Sequence, residues 1–487
     1  MHESNPPDTN TLERLRAIVG EAGWFTGPEA MAPYLREWRG LFHGRAAAVV
    51  SPASTREVSQ IMAVCHEARI GVVPQSGNTG LCGGAAPDET GTRVILSLRR
   101  MNHIRALDAA NDTIVVEAGC VLADIQAAAR EADRLFPLSL AAEGSCMIGG
   151  NLATNAGGTN VLRYGNTRDL VLGLEVVLPD GRVWEGLTAL RKDNAGYDLR
   201  DLFIGSEGTL GVITAAVLRL YPRPRDQATA LVGLASPEDA LAVYTALRRE
   251  SGDCVSGCEL ISTPAMDFVL RHIPGCRNPM QQVCPWYLLV ELSTPREDSG
   301  LQSVLEQTLA RLMDEAVVSD AVVAGSLAQG AELWRLRESI PEAQRQEGAS
   351  IKNDISVPVS SVPAFVREAS EVVAQACPGL RVCAFGHLGD GNLHFNLQQP
   401  PEMDGRDFLT RWDALCRLVD DVVLKFEGSV AAEHGIGQLR IGELQRSKSP
   451  VALALMQSIK HSLDPRGIMN PGKVLALPDE ESRDNPD

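Results

Sequence analysis

The sequence predicts an α+β protein of two or three domains, and three observations carry that prediction. At 487 residues the chain exceeds one ordinary domain of about 150 residues. Its 44 glycines gather in five stretches, 77–84, 144–158, 205–211, 386–391 and 428–437, rather than spreading evenly. Near residue 224 the apolar pattern also changes, from short strands with glycine-rich exits to longer helical periods alternating with strands.

Residues 46–50 form a short apolar run that reads as a strand, and 54–70 follow with Val58, Ile61, Met62 and Cys65 on one helical face. Ser54 and Glu57 spell a capping box at the start of this helix, and Gly71 is its expected stop. Val72 and Val73 then begin a strand that runs into Pro74-Gln75-Ser76-Gly77-Asn78-Thr79-Gly80, so the chain opens with a strand-helix-strand unit. Residues 93–98, 113–118 and 173–178 read as strands, Pro179-Asp180-Gly181 as a hairpin turn before 182–184, and 208–220 as one long strand. Tyr221-Pro222-Arg223-Pro224-Arg225 marks a boundary, because two prolines with intervening charge neither continue a strand nor start a helix. Beyond it, 237–249 and 300–315 have the helical period, 286–292 reads as a strand and 451–463 as a last helix; the charged tail 478–487 is expected to be disordered.

The charge balance of 45 Lys+Arg against 62 Asp+Glu gives −17, which argues against nucleic acid or an anionic membrane as the main partner. No apolar stretch approaches the roughly 20 residues of a membrane-spanning helix. Residues 1–10 lack the apolar core of a signal peptide and the Arg-rich look of a transit peptide, so a cytoplasmic location is expected. Eleven cysteines is an odd number, and the closest pair, Cys254 and Cys258, has no second pair to complete a zinc site; reduced thiols are the expectation.

The sharpest chemical signal is His387-Leu388-Gly389-Asp390-Gly391-Asn392-Leu393-His394-Phe395-Asn396. A two-residue turn at Asp390-Gly391 would set His387 directly across from His394, with Asn396 on the same face. Two imidazoles at that spacing can share one metal ion; the alternative is a pair of surface histidines. Glu433-His434-Gly435 adds a carboxylate and a further imidazole suited to general-base work, although such a pair in isolation is more often a surface ion pair. Arg337 and Lys352 are candidate carboxylate binders, with a solvated face as the default for either. The glycines at 77–84 do not match the G-x-G-x-x-G dinucleotide fingerprint, and 467–474 misses the phosphate loop because Val474 stands where Ser or Thr is needed. Glycine at 77–84 and 144–158 does let backbone amides close on a pyrophosphate.

Taken together, residues 74–80, 144–151, 154–158, 205–211, 387–394, 433–435 and 470–473 resemble FAD flavoproteins of the vanillyl-alcohol oxidase and p-cresol methylhydroxylase type. Within them the likeness is to the D-2-hydroxyacid dehydrogenase branch, which includes D-2-hydroxyglutarate and D-lactate dehydrogenases. The resemblance implies an FAD-binding domain of two α/β subdomains at 1–224 and a substrate domain with an antiparallel sheet covered by helices at 225–430. A C-terminal segment, 431–487, would return to the flavin.

By the same resemblance, Pro74, Gln75, Ser76, Gly77, Asn78, Thr79 and Gly80 bind FAD with Gly144, Ser145, Gly149, Gly150, Asn151, Thr154, Asn155 and Gly158. Glu207, Gly208, Gly211 and Ile213 would lie near the adenine end and Asn470 near the flavin ring. Noncovalent FAD is implied, since 74–81 holds no His or Cys. His387, His394 and Glu433 match metal ligands for zinc or manganese, His434 the general base, and Arg337, Lys352 and Asn396 the substrate-binding positions. Pro341 departs from the pattern, standing where the glutarate-specific form has threonine.

The implied reaction oxidises a D-2-hydroxyacid, with D-2-hydroxyglutarate ahead of D-lactate and D-malate, and passes electrons to an electron-transfer flavoprotein, cytochrome or quinone rather than NAD. A homodimer is the expectation for assembly. Two alternatives stand beside it, a metal-free alcohol or phenol oxidase and a catalytically silent FAD-binding subunit.

Overall fold

In the computed structural model, which describes residues 6–476, the first apolar runs form a small sheet in the order Trp24–Phe25, Ala48–Val50, Val94–Ser97, Val72–Gln75. The last three strands are parallel. They read as continuous apolar runs because both faces are covered: Ala48, Val50, Val72, Val94 and Leu96 pack with Val58, Ile61, Met62 and Cys65 of helix Thr55–Ala68, and Val49, Val73 and Ile95 cluster with Met31 on the other side. Ser54 caps that helix by accepting from the Glu57 amide, but the Glu57 carboxylate accepts from the Ala53 amide, so only half of the expected box forms. The helix also stops earlier than expected. Its C-cap is Arg69 in the left-handed region (φ 55°), two residues before Gly71.

A second, antiparallel sheet in the same unit runs Ile104–Asp108, Thr113–Glu117, Val212–Arg219, Val171–Val177, Val183–Gly186. The long strand expected from 208 begins only at Val212, because Glu207 and Gly208 take positive φ and turn the chain first. Ile468 and Met469 belong to this unit's core, where the Asn470 amide donates to Val72 O and the Val72 amide to Ile468 O, extending the parallel sheet by one bridge.

This unit comprises 6–158, 165–222 and 433–476 of the described residues, and a second unit comprises 159–164 and 223–432. The six residues 159–164, which the sequence groups with the first domain, pack in the second: Arg163 donates to Ser293 O and Leu162 abuts Gly389. The tail expected to be disordered, 478–487, lies outside the described residues.

The second unit is built on an eight-stranded antiparallel sheet, ordered Asp320–Val323, Asp226–Leu234, Trp286–Thr294, Val255–Ser262, Arg381–His387, Asn392–Gln398, Ser350–Ile351, with Asp354–Ser356 also on Asn392–Gln398. Strand period explains its two faces. Ala230, Val232, Leu260, Leu288, Val290, Ala384, Phe395 and Leu397 pack beneath helices Pro237–Glu250, Leu301–Asp314, Val362–Ala376 and Trp412–Lys425. The alternate residues, Leu231, Ile261, Tyr287, Leu289, Cys383 and Phe385, meet helices Thr263–His272, Leu327–Glu338 and Ile340–Gln346. Among the described residues no helix is long and apolar enough to cross a membrane.

Candidate active site

In the first unit, strand Val72–Gln75 ends in a cleft. Position follows from topology, since the loop leaves the carboxyl end of a parallel strand, where open α/β sheets bind ligands. The wall contains Pro74, Gln75, Ser76, Gly77, Asn78, Thr79 and Gly80, then Gly149, Gly150, Asn151 and Thr154, then Glu207, Gly208, Gly211 and Ile213, and His434. Gln75, 2 % exposed, anchors the loop by donating from Nε2 to Tyr34 O and Ala85 O, both at 2.9 Å. Asn78, in the left-handed region, donates to Arg36 O at 2.9 Å. Glycine is required where two loops touch through their backbones: a Cβ on Gly77 would lie 2.8 Å from Ser145 O and 2.9 Å from Cys146 Cα. Such a cradle, with few side chains between the chain and a ligand, fits the extended diphosphate-bearing body of FAD.

Five expected cofactor residues stand outside this wall. Ser145 supplies the backbone that Gly77 packs on, and Asn155 (φ 50°) caps helix Ile148–Thr154 while accepting from the Arg168 amide. Gly158 donates its amide to Glu433 Oε1 at 2.6 Å. Asn470 donates from Nδ2 to Gly84 O at 2.9 Å and Glu207 O at 2.8 Å, and Gly144 makes no close approach. Conversely, Cys82, Gly84, Ala85, Leu98, Cys146 and Met147 line the cleft without having been singled out as ligands. All but Leu98 lie inside or beside the glycine-rich stretches, so the signal was the stretch rather than the residue. Burial raises the Cys146 thiol above its ordinary pKa, which keeps it a poor nucleophile.

In the second unit the polar residues share the sheet face of Cys383 and Phe385. His387 pairs with Asn392, not with His394, whose partner across the strands is Phe385. The expected two-residue turn is wrong because Leu388–Asp390 forms a short 3-10 turn closed by Gly391 at φ 78°, a four-residue connection that moves the register. The shift is even, so both imidazoles keep one face as diagonal neighbours with ring centroids 5.9 Å apart.

Glu259, which the sequence reading missed, is the centre of this cluster. It lies directly opposite His387 on strand Val255–Ser262 and is fully buried. One carboxylate oxygen meets His387 Nδ1 at 2.5 Å and the other accepts from Arg337 Nε at 2.6 Å. Burial alone would raise its pKa; the Arg337 and His387 charges outweigh burial and bring it down to about 2. Glu259 meets the His387 ring at Nδ1, the arrangement by which a second carboxylate orients a histidine that binds metal through its other nitrogen. Arg337 also lies over the Phe385 ring, 4.8 Å from its centroid. The only sequence hint of Glu259 was an acidic residue inside an apolar strand.

His394 Nδ1 stands 3.7 Å from Asp354 Oδ1, and Asn392 donates to that same oxygen at 2.9 Å. Asn396, paired with Cys383, donates from Nδ2 to Gln344 Oε1 at 2.9 Å. The buried Gln344 Nε2 has no hydrogen-bond partner among the described residues, and a bound polar ligand would satisfy it. Burial pushes the Cys383 thiol up to about 12 although Lys352, Arg337 and Arg381 act the other way; Arg337 is paired with Glu259 and Arg381 with Glu347. Pro341 sits in the first turn of helix Ile340–Gln346, where its missing N–H costs no helical hydrogen bond. Of the remaining candidates, Glu433 and His434 belong to the first unit, whereas His387, His394, Asn396, Arg337 and Lys352 belong to the second.

Comparison with known proteins bears on both units. Residues 46–186 match an FAD-binding domain family, and residues 223–474 match the C-terminal domain of FAD-linked oxidases. The chain is 38% identical over 454 residues to D-2-hydroxyglutarate dehydrogenase of Xanthomonas citri pv. viticola, covering 93% of this chain and 94% of that one. It is 37% identical to the mitochondrial D-2-hydroxyglutarate dehydrogenase of Arabidopsis thaliana, covering 96% and 82%. It is 34% identical to a D-2-hydroxyglutarate–pyruvate transhydrogenase of Saccharomyces cerevisiae, covering 96% and 95%. Among solved structures, p-cresol methylhydroxylase superposes with a TM-score of 0.76 at 19% identity over 97% of each chain. Alkyldihydroxyacetonephosphate synthase gives 0.70 at 17%, covering 96% and 85%. At those identities the likeness is one of fold.

Proposed function

The chain belongs to the family of FAD-linked oxidases that includes the D-2-hydroxyglutarate dehydrogenases, and from that premise we propose that it oxidises D-2-hydroxyglutarate to the 2-oxoacid. The observation that carries this reading is the buried Glu259–Arg337–His387 network beside Lys352 and Asn396. A diacid needs cationic and amide donors for its carboxylates, and this face supplies both. FAD, cradled by the 74–80 and 149–154 loops, supplies the two-electron acceptor for the hydride leaving C2. A divalent ion, zinc or manganese, which the His387 and His394 imidazoles would hold, would supply Lewis acidity toward the C2 hydroxyl; two rings with centroids 5.9 Å apart suit such an ion.

The chain's own residues then divide the work. His434 accepts the hydroxyl proton. Arg337 and Lys352 hold carboxylate, and Asn396, steadied by Gln344, orients the substrate. Glu259 keeps His387 and Arg337 in place. The electrons leave to an electron-transfer flavoprotein, cytochrome or quinone.

Anaerobic titration with D-2-hydroxyglutarate, its L-enantiomer and D-lactate, followed in the visible flavin band, tests the reading. Bleaching by D-2-hydroxyglutarate alone, or fastest by it, is the expected result, and a band that none of the acids bleaches would sink it. For the metal, a chelator should abolish turnover while the flavin band persists, with zinc or manganese restoring it; full turnover in metal-free protein would remove the ion from the reaction.

A further inference from the structure

Glu207 lies in the wall of the cofactor cleft with its backbone in the left-handed region, at φ 51°. Neighbours hold that backbone from both sides. Its amide donates to Ala153 O at 2.8 Å, and its carbonyl accepts from Asn470 Nδ2 at 2.8 Å. The carboxylate is directed elsewhere: Oε1 accepts from the Ile436 amide at 2.7 Å and Oε2 from the Gly437 amide at 2.8 Å. These amides belong to the turn that begins with Glu433 and His434, and His434 lines the same cleft.

The turn fits closely against this acid. A Cβ on Gly435 would come within 2.8 Å of Oε1, and one on Gly437 within 2.0 Å of Cys82 O, so glycine is needed at both positions. Both also have positive φ, 76° and 52°. Burial raises the Glu207 pKa, while the two amides and the charge of Lys473 act in the opposite direction. Lys473 is itself buried, 3 % exposed. A carboxylate bound to two backbone amides of a glycine-rich turn is a two-point clamp. It holds the Ile436–Gly437 part of the turn, while the Gln438 amide, donating to Cys82 O at 2.8 Å, and Gly437 O, accepting from the Val474 amide at 3.0 Å, fix the stretch that follows.

We propose that Glu207 is a positioning residue for the reaction, its carboxylate clamping the amides of Ile436 and Gly437 and so fixing the turn that presents His434. The role differs from that of a direct cofactor contact, and it rests on the reading of His434 as the base. Glu207→Gln keeps the size and one acceptor oxygen but places an NH2 group against an amide donor, which breaks one arm of the clamp.

The test uses the full-length FAD-loaded protein. In E207Q, hydrogen exchange in peptides covering 433–438 should speed up by about 10-fold or more, with the flavin content unchanged. Its kcat should fall by roughly 10- to 100-fold, with KM changed less than about 3-fold, and in a His434→Ala background E207Q should lower kcat no further. Unchanged exchange at 433–438, or a kcat loss that multiplies fully with that of H434A, would overturn the clamp. Full turnover by H434A would instead overturn the general-base reading beneath it, a result the exchange measurement does not share. If E207Q does not fold, Glu207→Asp keeps the charge but shortens the reach by one methylene, and the same exchange and double-mutant outcomes decide.

Discussion

In the first unit the cofactor cleft is walled mainly by backbone and small residues, with Gly77, Gly80, Gly149, Gly150, Gly208 and Gly211 in its lining; in the second, the polar face is made of long side chains, Glu259, Arg337, His387, Asn396 and Gln344, interlocked at 2.5 to 2.9 Å. Each construction fails differently. A backbone cradle is indifferent to most changes around it but intolerant of a Cβ at a contact point, whereas a buried ionic network tolerates neither removal of a charge nor its neutralisation.

The largest effect is expected at the network. Glu259→Ala leaves Arg337 and His387 without their shared carboxylate, so unfolding measured in urea should show a loss of about 3–5 kcal/mol. Turnover should fall by about 100-fold as the His387 tautomer and the Arg337 rotamer lose their anchor. Wild-type stability carries the same signature in pH. Because the folded pKa of Glu259 is about 2 against an ordinary 4.5, its contribution is complete above that ordinary value and is lost as pH falls toward about 2. Acid unfolding of E259A should therefore be less steep in that window; an identical slope would contradict the network's role.

At the cradle, Gly77→Ala should weaken FAD binding by about 10- to 100-fold, since the new methyl meets Ser145 O and Cys146 Cα and must push backbone aside. Flavin released on dilution measures it, and undiminished retention would refute a backbone-built cleft. Lys352→Ala should raise KM for D-2-hydroxyglutarate by about 10-fold and for D-lactate by about 2-fold or less, because only the diacid has a second carboxylate to lose a charge-assisted contact. Equal increases would place Lys352 elsewhere in recognition. The smallest effect, none within error on FAD affinity, is expected for Gly442→Ala, outside the cleft lining, where a Cβ would have nothing within 4 Å.

The legibility of these features varied with their locality. The strand entering 74–80 and the helix capped by Ser54 were readable because their determinants sit within a few residues of one another. The stop at Arg69 was missed because a non-glycine residue occupies the left-handed position that the pattern assigned to Gly71. The His387–His394 hairpin was half readable: period 2 put both rings on one face, but the register depended on a 3-10 turn that no residue pair announces. The seven candidate cofactor residues at 74–80 all line the cleft, whereas Asn155 caps a helix and Asn470 donates to Gly84 O.

By itself the sequence determined which stretches are glycine-rich enough to expose backbone to a ligand, which apolar runs become strands and helices, and which imidazoles share a hairpin. Such features depend on local sterics and on the 3.6- and 2-residue periods. Tertiary structure alone decided the partners. Glu259 meets Arg337 across 78 residues and His387 across 128, and Glu207 reaches Ile436 across 229. A carboxylate has no sequence preference for a distant cation or amide; burial makes an unpaired one costly, and only the packed sheet brings the compensating group within hydrogen-bonding distance.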